Sequence, residues 1–174
     1  MDWSKAKTIL IIVLLAFCLV LTGMLVVRDV KISKELSENK KAALAYLDEI
    51  GVKIETEIPT KRVKLPVLFV EYKGEGAEPT ELTYKKYTVY TKNISSAGYK
   101  MTSAGERAAE IMPASSAVLE AVSRMESPKL VINDIELCYY IDNDSINVSS
   151  GSSDTAFPAW MVNTSAGTCF ILAY

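Results

Sequence analysis

The chain has 174 residues, a formal net charge of −2 and no histidine. That length allows one domain with its own core beyond any membrane segment. Mild acidity argues against nucleic acid, whose binders carry a basic stripe, and the missing histidine removes the usual general base, the Ser-His-Asp arrangement and the commonest zinc ligand.

Residues 1–7, Met1-Asp-Trp-Ser-Lys-Ala-Lys, lead into an uncharged run from Thr8 to Val27, and charge resumes only at Arg28. At about 1.5 Å per residue such a run crosses a ~30 Å hydrocarbon core as one helix. It has no polar face of the kind a soluble core helix shows, so a transmembrane helix over 8–27 is expected. The apolar run is too long for a secretory signal, and no Ala-x-Ala site follows it. Cys18 follows Phe17 in mid-run, which excludes a lipoprotein signal, so the helix is expected to stay as an anchor. Lys5 and Lys7 precede it, whereas Arg28, Lys31, Lys34, Lys40 and Lys41 follow. Basic residues alone thus favour a cytoplasmic domain after the helix. Ala16, Val20, Gly23 and Val27 share one helix face. Small residues permit close helix packing in lipid, which makes this face the candidate partner-binding surface; simple lipid exposure is the alternative.

Ser33 to Ile50 reads as a further helix with Leu36, Ala43, Leu47 and Ile50 on one side, Ser37 as a cap and Gly51 as a left-handed stop. Val52 to Ile58 alternates as a strand ended by Pro59, and Val67 to Tyr72 is a more fully apolar strand. Lys73 to Pro79 is turn-rich, and Glu81 to Lys92 reads as a long tyrosine-bearing strand with a bulge. Its tyrosines suit either a binding platform or cross-strand pairs on a covered sheet face. Ser103-Ala-Gly-Glu106 has the form of a capping box opening a short helix, interrupted by Pro113 and followed by a second helix over 115–125. Leu130 to Asp142 is a strand with Ile135, Leu137, Tyr139 and Ile141 in phase, and Asn143 to Asp154 a polar loop. Pro158 to Asn163 and Thr168 to Tyr174 close the chain as a β-hairpin. The class predicted is α+β.

Chemistry-bearing motifs are scarce. No phosphate-binding glycine loop, Gly-x-Ser-x-Gly, Cys-x-x-Cys or His-Glu-x-x-His occurs. Asp142, Asp144 and Asp154 lack calcium-loop spacing, and Glu106 and Glu110 read as a surface pair one helical turn apart. No enzyme, metal or cofactor is therefore expected. Cys138 and Cys169 lie on separate predicted strands and are either a disulfide or two buried hydrophobes. Sequons at Asn93, Asn143, Asn147 and Asn163 matter only on a eukaryotic secretory route. Trp160, presented by Pro158-Ala159, is either a partner anchor or a core residue.

Four stretches together resemble one family. Met1-Asp-Trp-Ser-Lys-Ala-Lys-Thr-Ile opening a membrane helix resembles the YycI proteins of Gram-positive bacteria. Gly51-Val-Lys-Ile-Glu-Thr-Glu-Ile-Pro59 is similar to that family's helix-to-strand passage, and Ile135-Glu-Leu-Cys-Tyr-Tyr140 to its Ile-x-Leu-Gly-Tyr-Tyr strand. Pro158-Ala-Trp-Met-Val162 resembles its Pro-Ala-Trp segment, which is shared with YycH and PepSY-like domains. Cys138 stands where the family has glycine, and Met161 where it has a basic residue. The resemblance implies a cytoplasmic tail (1–7), a transmembrane helix (8–27) and an extracytoplasmic domain (28–174). That domain would be an antiparallel β-sheet with a leading helix and short packed helices. It also implies a non-catalytic regulator of a cell-wall sensor histidine kinase of the WalK (YycG) type, acting beside a YycH-like protein. The competing readings are a PepSY-like module for a peptidase or cell-envelope ligand, and an anchored assembly component without a signalling role.

Overall fold

A computed structural model describes residues 3–74, 82–92, 98–125, 129–142 and 151–174, with side chains from residue 7 onward. The predicted polar loop from Asn143 and three of the four sequons fall largely or wholly outside these residues. The chain divides into two compact units, Met1–Asn39 and Lys40–Tyr174.

The first helix, α1, runs from Trp3 to Glu49. It absorbs both predicted helices, so Ser37 lies within it and caps nothing. Its apolar run is solvent-exposed throughout and is long and apolar enough to cross a membrane. The end of α1 is fixed by a different device. Gly51 takes φ +79°, its N–H donates to Asp48 O at 3.1 Å, and the Val52 N–H donates to Leu47 O at 2.9 Å. This double bond pattern is a Schellman motif, and its apolar partners Leu47 and Val52 both enter the core. Ala43 is also buried, whereas Ile50 is 41 % exposed.

The strands follow as β1 (Lys53–Ile54), β2 (Lys64–Leu65), β3 (Leu68–Tyr72), β4 (Thr83–Tyr84), β5 (Tyr87–Thr91), β6 (Tyr99–Ala104) and β7 (Ala109–Glu110). Helix α2 (Ala114–Arg124) and strands β8 (Val131–Ile141), β9 (Ser153–Thr164) and β10 (Gly167–Leu172) complete the chain. The main sheet runs β4-β5-β8-β9-β3-β6, with β1 beside β8 and β10 beside β9; β2 and β7 pair separately. The sheet is mixed, correcting the antiparallel expectation, because β1 and β5 both pair with β8 in parallel.

At the centre, β8 and β9 pair antiparallel from Ile132↔Thr164 to Ile141↔Ala156, with an irregularity between Ile132 and Asp134. Both strands are apolar on both faces because both faces are covered. On the main face Ile135, Leu137, Tyr139, Ile141, Trp160 and Val162 meet Ala117, Val118 and Ala121 of α2 in one buried cluster. On the other face Cys138, Ala159 and Met161 form a small second cluster beneath Tyr90, Tyr140 and Phe170. The Tyr140 and Phe170 rings stack there, with centroids 4.6 Å apart and planes 14° from parallel.

Three predicted elements differ. The strand over 52–58 keeps its alternating burial, but only Lys53 and Ile54 join a ladder. The long strand over 81–92 is instead a hairpin, β4 and β5, turned at Lys85–Lys86 with Lys85 at φ +56°. Without glycine or asparagine at the turn, the sequence reads as a continuous strand. The capping box is no cap: Ser103 lies in β6, which pairs with β3, and Gly105 N–H donates to Val67 O at 2.8 Å. A strand edge in need of partners has overridden a local helix signal.

Gly51 supplies a test of the helix stop. A Cβ there meets no atom within 4 Å, so only the left-handed backbone penalises substitution. Gly51→Ala is expected to cost about 1–2 kcal/mol, and Gly51→Asn less, read as the shift in denaturant midpoint of the full chain.

Candidate binding groove and membrane helix face

Two features carry the recognisable potential for contact, one in each unit. In the first unit, Ala16, Val20, Gly23 and Val27 lie on exposed positions of α1. Nothing lies within 4 Å of a Cβ built at Gly23, so the notch left by its missing side chain is open. Thr22 Oγ1 donates to Cys18 O at 2.8 Å, satisfying the one hydroxyl in this part of the run within its own helix.

In the second unit, β8 has different neighbours along its length on the side away from β9. β1 pairs with Val131 and Ile132, and β5 with Tyr139, Tyr140 and Ile141. Among the described residues, Asp134 to Cys138 have a strand partner on the β9 side alone, and Asn133 falls at the irregularity, outside the register. The interval begins at the irregularity after Ile132, where the chain leaving β1 makes the bond Glu55 N–H to Ile132 O at 2.9 Å. The Ile135 N–H donates to the neighbouring carboxylate oxygen, Asp134 Oδ1, at 2.9 Å.

A groove of about 310 Å³ opens along this stretch, lined by Pro59, Lys61, Val63, Lys86, Tyr87, Ile135, Glu136, Leu137 and Trp160. One bank is the extended segment after β1, the other the turn and first residue of the β4–β5 hairpin. The floor is Ile135 and Leu137 of β8 with Trp160 of β9, three side chains brought together by the Leu137↔Trp160 register. Trp160 is 4 % exposed, and its indole N–H donates to Met112 O at 2.8 Å. The ring therefore belongs to the core and presents only a small surface to the groove. Its partner Met112 is itself tied back, its N–H donating to Ala173 O at 3.1 Å. Lys86 Nζ lies 5.4 Å from the Tyr87 ring centroid, which holds its charge at the rim.

The tyrosines of the hairpin serve packing. Tyr84 and Tyr87 meet the ring of Tyr139 edge-on, at centroid distances of 5.9 and 6.5 Å. Tyr139 is fully buried and donates its hydroxyl to Pro66 O at 3.0 Å. Burial, with Tyr84 and Tyr87 beside it, raises the Tyr139 hydroxyl far above its ordinary pKa. Of the groove lining, Trp160 and Tyr87 were identifiable in advance, Trp160 as a partner anchor and Tyr87 as part of a tyrosine platform, each with a packing alternative. Lys61, Lys86, Ile135 and Leu137 carry no local signal beyond strand periodicity and rim charge.

Arg62 pairs with Glu110 across the β2–β7 ladder, so Glu106 and Glu110 are not a helical pair. Among the described residues no cluster of three or more His, Cys, Asp or Glu side chains gathers in metal-binding geometry. Asp154 lies in β9, and Asp144 lies outside the described residues.

The two domain cysteines face opposite sides of the sheet. Cys138 pairs with Ala159 in the second cluster, while Cys169 pairs with Val162 and packs against the main core. A disulfide between them is therefore excluded in this fold. Burial pushes the Cys138 thiol up to about 12, with Glu136 adding to the shift and the hydrogen bond to Met161 backbone opposing it. Because the folded thiol holds its proton more tightly than the unfolded one, its contribution to stability is complete below the ordinary thiol range. It is lost as pH rises from about 9 toward 12. Cys138→Ala is expected to flatten the fall of stability with pH across that window, measured by denaturant unfolding at stepped pH. In the native protein at neutral pH, Cys138 is expected to resist a maleimide reagent until denaturant is added.

No family model, curated protein or solved structure matches this chain.

Proposed function

We propose that the chain is a membrane-anchored, non-catalytic regulator that meets a cell-wall sensor histidine kinase of the WalK type through its transmembrane helix. The observation that carries this reading is the apolar stretch of α1, exposed along its whole length and long enough to cross a membrane. A stretch of that composition needs a bilayer or a protein partner to cover it. The kinase itself is supported by the resemblance of the opening Asp-Trp-Ser-Lys-Ala-Lys to the YycI proteins, and a YycH-like protein is a natural third component. In this reading residues 1–7 are cytoplasmic and the β-rich unit is extracytoplasmic, against the count of flanking lysines. Helix contacts in lipid rely on close packing, and Ala16, Val20, Gly23 and Val27 offer a face without large side chains. The domain would shift the kinase between states by contacting them unequally.

The groove on β8 favours a second reading, in which the domain is a PepSY-like binding module for a peptidase or cell-envelope ligand.

Co-purification with the kinase from detergent-solubilised membranes tests the first reading. Gly23→Leu is expected to reduce recovery severalfold and Gly23→Ala to spare most of it; equal recovery of the leucine variant excludes this face. Fusions after Tyr174 test the topology. Alkaline phosphatase is expected to be active there and β-galactosidase inactive, and the reverse result would put the domain in the cytoplasm.

A further inference from the structure

The stretch of β8 that has no partner among the described residues on the side away from β9 has the properties of a place made for a strand. It is bracketed on the same side by β1 and β5, both parallel to β8. The interval from Asn133 to Cys138 spans roughly 20 Å at about 3.3 Å per residue. Sheet interiors rarely leave such an interval open, because backbone N–H and C=O groups need partners. Here the Ile135 donor is held by the side chain of Asp134.

The floor beneath the interval is apolar, made of Ile135, Leu137 and Trp160, and the rim carries Lys61 and Lys86; Glu136 of the lining pairs with Met161 and acts on Cys138 of the other face. An extended segment entering from solvent would gain main-chain bonds along β8 and seat alternate side chains on that floor. Its polar side chains would meet a rim of net positive charge. A volume of about 310 Å³ fits two or three residues rather than a folded domain.

We propose that this groove binds an extended peptide segment as an added strand beside β8, with one apolar side chain on Ile135, Leu137 and Trp160 and a flanking carboxylate near Lys61 and Lys86. Such strand addition draws affinity from main-chain bonds and specificity from the pockets that take alternate side chains. The proposal does not depend on the kinase or on what the membrane helix contacts.

The test uses the full chain in lipid nanodiscs and a phage-displayed library of random heptapeptides, with selected sequences then synthesised with capped ends. Enrichment of a central apolar residue flanked by Asp or Glu is expected. Backbone N-methylation of alternate residues in a selected peptide should weaken binding at least tenfold, because it removes ladder donors while keeping the side chains. The Lys61→Glu/Lys86→Glu double variant should lose at least tenfold with an unchanged thermal unfolding curve, and added salt should weaken the wild-type complex. Failure to enrich any sequence would overturn the proposal, as would binding indifferent to N-methylation. Concentration-dependent self-association of the wild-type chain that the double variant abolishes would also overturn it, since the occupant would then be a second copy.

Discussion

Everything in the β-rich unit depends on the pairing of β8 with β9. Over residues 137–141 and 156–162 these two long strands are apolar on alternate and on intervening positions alike, so neither face can be left to water there without a large loss of hydrophobic stabilisation. Once paired, they define two faces with different covers. The main face takes α2 and the last turns of α1 as its lid, and the reverse face is closed by a few aromatic rings. β1 and β5 attach to the β8 edge in parallel, β3 and β10 to the β9 edge antiparallel, with β4 and β6 outside β5 and β3. The β8 edge is thus shared by two strands, β1 before the irregularity after Ile132 and β5 beyond Cys138.

Much of this order was legible in the sequence because it is written in periodicity. The phase of Ile135, Leu137, Tyr139 and Ile141, the terminal hairpin, the second short helix and the stop at Gly51 all follow from local pattern or from a residue with special backbone freedom. The failures share a cause. Ser103-Ala-Gly-Glu106 has good local helix chemistry, but β3 offers an unpaired edge and takes Tyr99 to Ala104 as its partner. Lys85–Lys86 turns a chain whose composition carries no turn signal, because the two short strands on either side pair with each other and β5 then joins β8. Both are tertiary decisions, invisible to a window of a few residues.

The groove was less legible still. Its banks come from residues 59–63 and 86–87 and its floor from 135–137 and Trp160, segments that sequence spacing cannot bring together. What makes it a groove is that part of one strand has no neighbour among the described residues, which belongs to the topology and to no single residue. The small-residue face of α1 is the opposite case. Its spacing is entirely local, so helix geometry reproduces it without further information.

The Schellman stop at Gly51 has a mechanical consequence. Ala43 and Leu47, in the last turns before it, are buried in the β-rich unit, and Leu47 is held against Val52 by the cap itself. A pull or twist applied at Lys40 would therefore load the packed interior directly, with no slack linker between to absorb it. A close-packed interior yields little before it rearranges. The segment from Lys40 to Glu49 thus acts less as a tether than as a handle, through which work done on one end reaches the sheet as a change in packing.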